Sequence, residues 1–489
     1  MSSGPIATDP TTALTPGATP YALLPNEQDF TVVDPTIPWN IAGNALANTI
    51  VGGDQDDTID GGDGSDTLDG RGGVNDLWGG KGDDIFIGGD ALINNIHGQL
   101  GEDTVDYSGQ SGNVTVDLAA GTGSVFGHFG MDYISGVEDV TGGTGDDHLT
   151  GDVNDNVLLG GGGNDTLTGG DGNDTLNGGH GADILDGGAG ADVLNGGGNG
   201  LMNDGADTAF YADAKDGVDV SLADGRGSAG DANGDTYFDI QNVTGSDFAD
   251  TIVGDNQNNV LNGGKGDDVL EGRGGADTLD GGDGEDKVSY EHATSGVSFD
   301  LANGGSGGEA TGDDFVNVED AEGSDFNDVI TGDGKNNVID GGGGADTLSG
   351  NGGNDTLNGG AGNDTILGGA GDDILNGGRG GDILTGGAGV DTYQFTSMQD
   401  SLNAPGQFDT ITNFQSGEQI DLSGIDANVG VAGDQAFTLV QNFTGNAGEV
   451  RSFVDATTGD TIVQAYDGSS YLEVDITGPV ALTTSNFVF

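Results

Sequence analysis

The sequence predicts an all-β solenoid of short parallel strands stacked in coils. Four blocks of coils alternate with β inserts, and a C-terminal β-sandwich-like cap closes the chain. Three observations predict this. An apolar residue returns every nine positions within Gly-rich surroundings. The stretches between these repeats alternate apolar and polar residues, as half-buried strands do. Only 33% of residues are hydrophobic, too few for a thick core in a chain of 489.

Composition excludes several classes. Gly numbers 102, short of the one in three that collagen requires, and Pro numbers nine. With no Cys there is no disulfide framework. Asp and Glu number 83 against 10 Lys and Arg, a formal charge of −73. A polyanion repels nucleic acid phosphates, and its own charge keeps it expanded until cations neutralise it. No run of 18 apolar residues occurs, so no membrane span is expected. The N-terminus has neither a basic segment nor an apolar one, so a cleavable signal peptide is not expected.

The repeat is clearest at GGGGNDTLT (160–168), GGDGNDTLN (169–177), GGHGADILD (178–186) and GGAGADVLN (187–195). The pattern is G-G-x-G-x-D-x-U-x, with U apolar. Twenty-four nonads fall at 43–87, 142–195, 245–289 and 323–394, with looser copies at 98–106 and before Tyr211. Gly in the first six residues suits tight turns, and x-U-x makes a short strand with one inward side chain. Two nonads complete a coil of eighteen residues. The resulting core is one side chain deep, so the turns need a staple.

Position six supplies it. Residues eighteen apart lie on the same edge, so Asp165 stands over Asp183 and Asp174 over Asp192. Carboxylates stacked in this way repel unless a cation lies between them. Carboxylates with turn carbonyls form an all-oxygen cage suited to Ca²⁺. The candidate ligands are Asp57, Asp66, Asp84, Asp147, Asp165, Asp174, Asp183, Asp192, Asp250, Asp268, Asp277, Asp286, Asp328, Asp346, Asp355, Asp364, Asp373, Asp382 and Asp391. Eleven stacked pairs have Asp at both places, so about eleven or more Ca²⁺ sites are expected. Eleven ions would bring −73 to −51. Asn replaces Asp at Asn48, Asn75, Asn156, Asn259 and Asn337. Four of these stand at or beside block starts, where capping is expected.

These nonads resemble the RTX family, the calcium-binding repeats of bacterial secreted proteins. The resemblance implies a parallel β-roll with Ca²⁺ between turns and the aspartates above as ligands. It further implies export by a type I secretion apparatus of a Gram-negative bacterium. The inserts begin at Tyr107, Tyr211 and Tyr290, and each carries an alternating strand, such as Val114, Val116 and Leu118. The expected order is an extended arm (1–42), block one (43–106), an insert (107–141) and block two (142–210). A second insert (211–244), block three (245–289), a third insert (290–322), block four (323–394) and the cap (395–489) follow.

The cap contains FDTITNFQSGEQIDLSGID, TIVQAY and YLEVDITG. It is similar to the C-terminal domain of serralysin-type metalloproteases, which implies a secretion signal. Where that family ends in an acidic residue before three apolar ones, Asn486 precedes Phe487, Val488 and Phe489. The serralysin protease domain is missing, because no two of the five His stand in an HExxH pattern. GGSGG (304–308) matches G-x-S-x-G only within glycine-rich low complexity. No catalytic constellation stands out, and the chain is expected not to be an enzyme.

The first 42 residues hold seven of the nine Pro and cannot form a core. Within them DFTVVDPTIPW (29–39) reads as an arm that pairs with a sheet edge, on its own roll or on a neighbour. The expected function is a secreted calcium-binding protein that folds on export and serves as a surface layer, matrix filament or adhesin subunit. Its expected partners are calcium, the exporter, and further copies of itself or a cell-surface component. The alternative is a monomeric effector or carrier acting on a host or partner, or the remnant of a serralysin-like enzyme.

Overall fold

The structure is a computed structural model. It describes residues 20–32, 35–89, 92–197, 205–402, 404, 406–430 and 435–489. The strands fall into two compact units, 1–246 and 247–489. Among the described residues the only helical turns are short 3-10 turns at Gly230–Ala232, Gly308–Ala310 and Thr484–Asn486. No helix among them is long and apolar enough to cross a membrane.

Each nonad contributes one strand, and consecutive nonads alternate between two sheets. Thr166–Asp171 pairs in parallel with Ile184–Ala189, with Leu167 opposite Leu185. Val157–Gly162 pairs with Thr175–His180 on the other sheet, with Leu158 opposite Leu176. Ladder neighbours are therefore eighteen residues apart, as the spacing predicts. The inward side chains Leu158, Leu167, Leu176, Leu185 and Leu194 are fully buried. Burying each contributes about 2 kcal/mol. The chain is an all-β parallel β-roll.

In the first unit the roll starts before the first nonad. Asp29–Thr31 pairs with Thr49–Val51, placing Phe30 over Ile50, and Tyr21–Ala22 pairs with the strand Asn40–Asn44. Phe30 packs between Tyr21 and Trp39. This part of the arm thus lies on its own chain's roll. The leader over 1–19 lies outside the described residues.

The inserts extend the sheets with antiparallel hairpins. In the first, Val114–Asp117 pairs with Thr122–Val125 and, in parallel, with His148–Thr150. In the second, Asp219–Ser221, Arg226–Ala229 and Thr236–Phe238 follow one another, and the last pairs with Val193–Gly197. These two inserts therefore lie on opposite sheets of the first unit. In the second unit, Ser298–Asp300 pairs with Gly304–Gly307 and with Val329–Thr331.

The cap continues both sheets of the second unit. Asp409–Thr412 pairs with Ile383–Ala388, and Gln419–Asp421 pairs with Thr392–Gln394. An antiparallel run, Glu449–Val454, Thr461–Tyr466 and Tyr471–Ile476, joins the first sheet through Asp409–Thr412. Phe487–Val488 joins the second through Gln419–Asp421.

Candidate metal centres

The position-six aspartates form columns along the two edges of the roll. Asp147 N–H donates to Asp165 Oδ1 at 2.7 Å, and Asp165 N–H donates to Asp183 Oδ1 at 2.8 Å. On the other edge Asp174 N–H donates to Asp192 Oδ1 at 2.7 Å. Block four repeats the arrangement from Asp328 through Asp346, Asp364 and Asp382. The direct coil-to-coil link is therefore carboxylate to amide, where the spacing suggested carboxylate facing carboxylate. One oxygen of each aspartate is used in this way.

The second oxygen divides the predicted ligands into two groups. In fifteen of the nineteen, beginning with Asp66, Asp84 and Asp165, Oδ2 is buried and receives no donor. In Asp57, Asp147 and Asp328, Oδ2 accepts the N–H of the residue four places earlier at 2.6, 2.5 and 2.6 Å. Asp250 is buried and has a partner of its own. The Asn-type nonads at 48, 156, 259 and 337 accept the same N–H through the amide oxygen, at 2.7 to 3.0 Å.

Backbone conformation at position two decides between the groups. In every nonad with an open Oδ2, that residue has positive φ: Gly161 at 104° before Asp165, Arg273 at 66° before Asp277. This conformation carries its N–H away from the carboxylate. At Gly53, Gly143 and Ser324 φ is not positive, and the N–H turns inward to cap the aspartate.

The open oxygens face backbone oxygen. A Cβ built on Gly160 would overlap both Asp165 Oδ2 and the Gly178 carbonyl oxygen, so the two oxygens lie close together against the bare Cα. Gly169 sits in the same way between Asp174 Oδ2 and the Gly187 carbonyl. The donor set is all oxygen, which fits a hard cation such as Ca²⁺. Among the described residues no group of three or more His, Cys, Asp or Glu converges on a point, so backbone carbonyls must complete the shell. When bound, the cation would supply the positive charge that the open oxygens lack.

Electrostatics agree. Burial pushes Asp165 up to about 7; the Asp147 N–H lowers it in part, and the neighbouring Asp183 and Asp147 charges add to the rise. Asp268, Asp346 and Asp364 are raised to about 7 for the same leading reason. Without a counter-ion these sites favour the protonated carboxyl.

Two features escaped the sequence reading. Asp103, in the looser copy GQLGEDTVD, has the same open oxygen, as has Asp409 in the cap. The inserts fill the position-six place differently. Asp132, Asp235 and Asp313 accept a backbone N–H on Oδ1, from Asn94, Asp192 and Asp277. Their Oδ2 accepts a tyrosine hydroxyl: Tyr107 at 2.8 Å, Tyr211 at 2.7 Å and Tyr290 at 2.6 Å. The recurrence of Tyr at the start of each insert was the available signal.

An array of this design is the mark of a repeat protein that binds calcium. The model of the RTX calcium-binding nonapeptide repeat matches residues 42–77, 132–167, 168–199, 244–279, 253–288, 322–357 and 358–393. The chain carries such repeats over four stretches. Among solved structures it is similar to two subunits of a mannuronan C5-epimerase from Azotobacter vinelandii. The AlgE6R2 subunit is 28% identical, over 34% of this chain and 91% of that one, with a TM-score of 0.23. The AlgE6R3 subunit is 29% identical, over 34% and 79%, with a TM-score of 0.23. No curated protein sequence matches the chain.

Proposed function

We propose that this is a secreted calcium-binding β-roll protein that folds on export and serves a structural role outside the cell. The observation that carries the reading is the column of buried aspartate oxygens with no donor, repeated along both edges. Inside a cell, free calcium lies far below the roughly 10⁻⁴–10⁻³ M at which extracellular modules bind. Buried carboxylates, costly to ionise without a counter-ion, and a charge of −73 then keep the chain open, a form suited to a type I exporter. Outside, calcium binds the folded state alone and drives folding by linkage. The repeat and insert strands that occupy most of the chain favour a scaffold over an enzyme.

An apolar surface on the first insert favours assembly into a surface layer or filament, or attachment to a cell-surface component. Phe126 is 82% exposed and Phe129 fully so, with Met131 also exposed. The test is mass in solution by light scattering, with calcium and then with chelator. Large particles that return to monomer on chelation are expected. A 48.5 kDa monomer in both states would remove self-assembly and leave the carrier reading.

A further inference from the structure

The second and third inserts share one design, so their surroundings correspond place by place. Tyr211 donates to Asp235 and Tyr290 to Asp313. Each insert then runs through a hairpin and a 3-10 turn, Gly230–Ala232 in one and Gly308–Ala310 in the other. The strand that follows sets Thr236 opposite Val193, and Asp314 opposite Thr278. Counted back from Val193 and Thr278, Asp186 takes the place of Glu271 and Gly188 that of Arg273. Counted from the tyrosines, Asp213 takes the place of His292. Asp231 and Glu309 each stand in the middle of their 3-10 turn.

In the third insert the acid is matched by cations of its own chain. The Glu271 side chain is only 6% exposed. Arg273 Nε lies 3.1 Å from its Oε1, and His292 Nδ1 lies 2.9 Å from its Oε2. In the second insert a glycine and an aspartate stand where those two cationic side chains would be. A Cβ on Gly188 would overlap the Gly170 carbonyl oxygen, so the backbone leaves no room for a side chain there. The result is a cavity of about 140 Å³, lined by Asp186, Asp213 and Asp231, with Tyr211 in its wall and Lys215 beside it. Three carboxyls thus face one ammonium. Burial pushes Asp186 up to about 6, and the Asp213 and Asp231 charges add to the rise. Among the described residues no three such groups are close enough to hold one metal ion. The space suits a larger cation with spread charge.

We propose that the cavity of the second insert binds a guanidinium group brought by another molecule, at the place Arg273 fills in the third. A guanidinium is planar and carries five donors, so one group serves several carboxylates at once. A compact ammonium such as that of Lys215 has three donors on a point charge and fits such a set less well. Asp213 and Lys215 are exposed, so the cavity is reached from solvent. The same chemistry is offered by free arginine and by an arginine side chain of a partner protein.

The test titrates the full chain, in calcium, with three probes followed by calorimetry: L-arginine, a tripeptide with arginine between two glycines and both ends blocked, and L-lysine. A guanidinium probe should bind at one site per chain. Tighter binding of the peptide would identify a protein side chain as the source, and tighter binding of L-arginine a small molecule. Asp186→Asn should weaken binding about tenfold or more. Asp213→His, which places the imidazole of the third insert at an exposed position, should do the same. Arg273→Gly opens the corresponding place in the third insert, at a residue whose φ of 66° suits glycine, and should raise the count from one to two. The proposal would be overturned if neither guanidinium probe binds, if L-lysine binds as tightly, or if both aspartate variants bind as the parent does. Should Asp186→Asn fail to fold, Asp213→His decides.

Discussion

The interior of block two and the inserts solve one problem in two ways. In both, an aspartate on the edge of the roll accepts an N–H from the coil before it, as Asp165 does from Asp147 and Asp313 from Asp277. In the block the remaining oxygen is left open; in the insert a tyrosine hydroxyl donates to it. The hydroxyl belongs to the chain, whereas a cation must come from solution. The inserts are thus internally satisfied clasps, and the blocks between them depend on their surroundings.

The largest effect that would break this comparison is on chelation. As free calcium falls, hydrogen-exchange protection at 166–171 and 184–189 should be lost before that of the hairpin 114–125. Simultaneous loss everywhere would mean that the tyrosine clasps contribute nothing separate.

A smaller effect is expected from pH in the presence of chelator. Open aspartates such as Asp66, Asp165 and Asp346 have folded-state values of about 6 to 7, above the ordinary 3.8. Their protonation stabilises the calcium-free fold fully below the ordinary value, and this is lost as pH rises through 6 to 7. Calcium-free protein should therefore show more β structure by circular dichroism at pH 5 than at pH 8. In calcium the trend reverses, because protons compete with the cation. A calcium-free signal flat across this range would contradict the assignment of open carboxylates.

The smallest effect sharpens the contrast. Tyr290→Phe removes the donor to Asp313 and leaves a buried oxygen of the kind found in the nonads. A loss of about 1–3 kcal/mol is expected in urea denaturation with chelator. Calcium should recover part of it if Asp313 then behaves as a nonad aspartate does. An unchanged urea midpoint in both conditions would show that the hydroxyl is not the clasp.

The nine-residue pattern made the coil, its eighteen-residue ladder and the inward residues from Ile50 to Tyr393 legible, because sheet register follows directly from spacing. The difference between Asp57 and Asp66 was not legible. Both follow a G-G-D start, yet φ is positive at Gly62 and not at Gly53. Gly62 lies in a ladder opposite Asn44, whereas the carbonyl of Pro35 holds the N–H of Asp54, beside Gly53. Neighbouring coils set that conformation, and glycine accepts either outcome. Asp409 was hidden for a related reason: its place in the column, accepting the Asp382 N–H, comes from a cap strand whose connecting loop breaks the nine-residue count.

The two inserts of the first unit lie on opposite sheets, and an integer controls this. Gain or loss of one repeat between them, by replication slippage or recombination, would carry the later insert to the other side of the roll. Gain or loss of two would lengthen or shorten the array with the second insert still on the same sheet. Heritable changes in length that preserve a surface used for contact should therefore come in multiples of eighteen codons, and single-repeat changes should be the ones that alter what the surface meets.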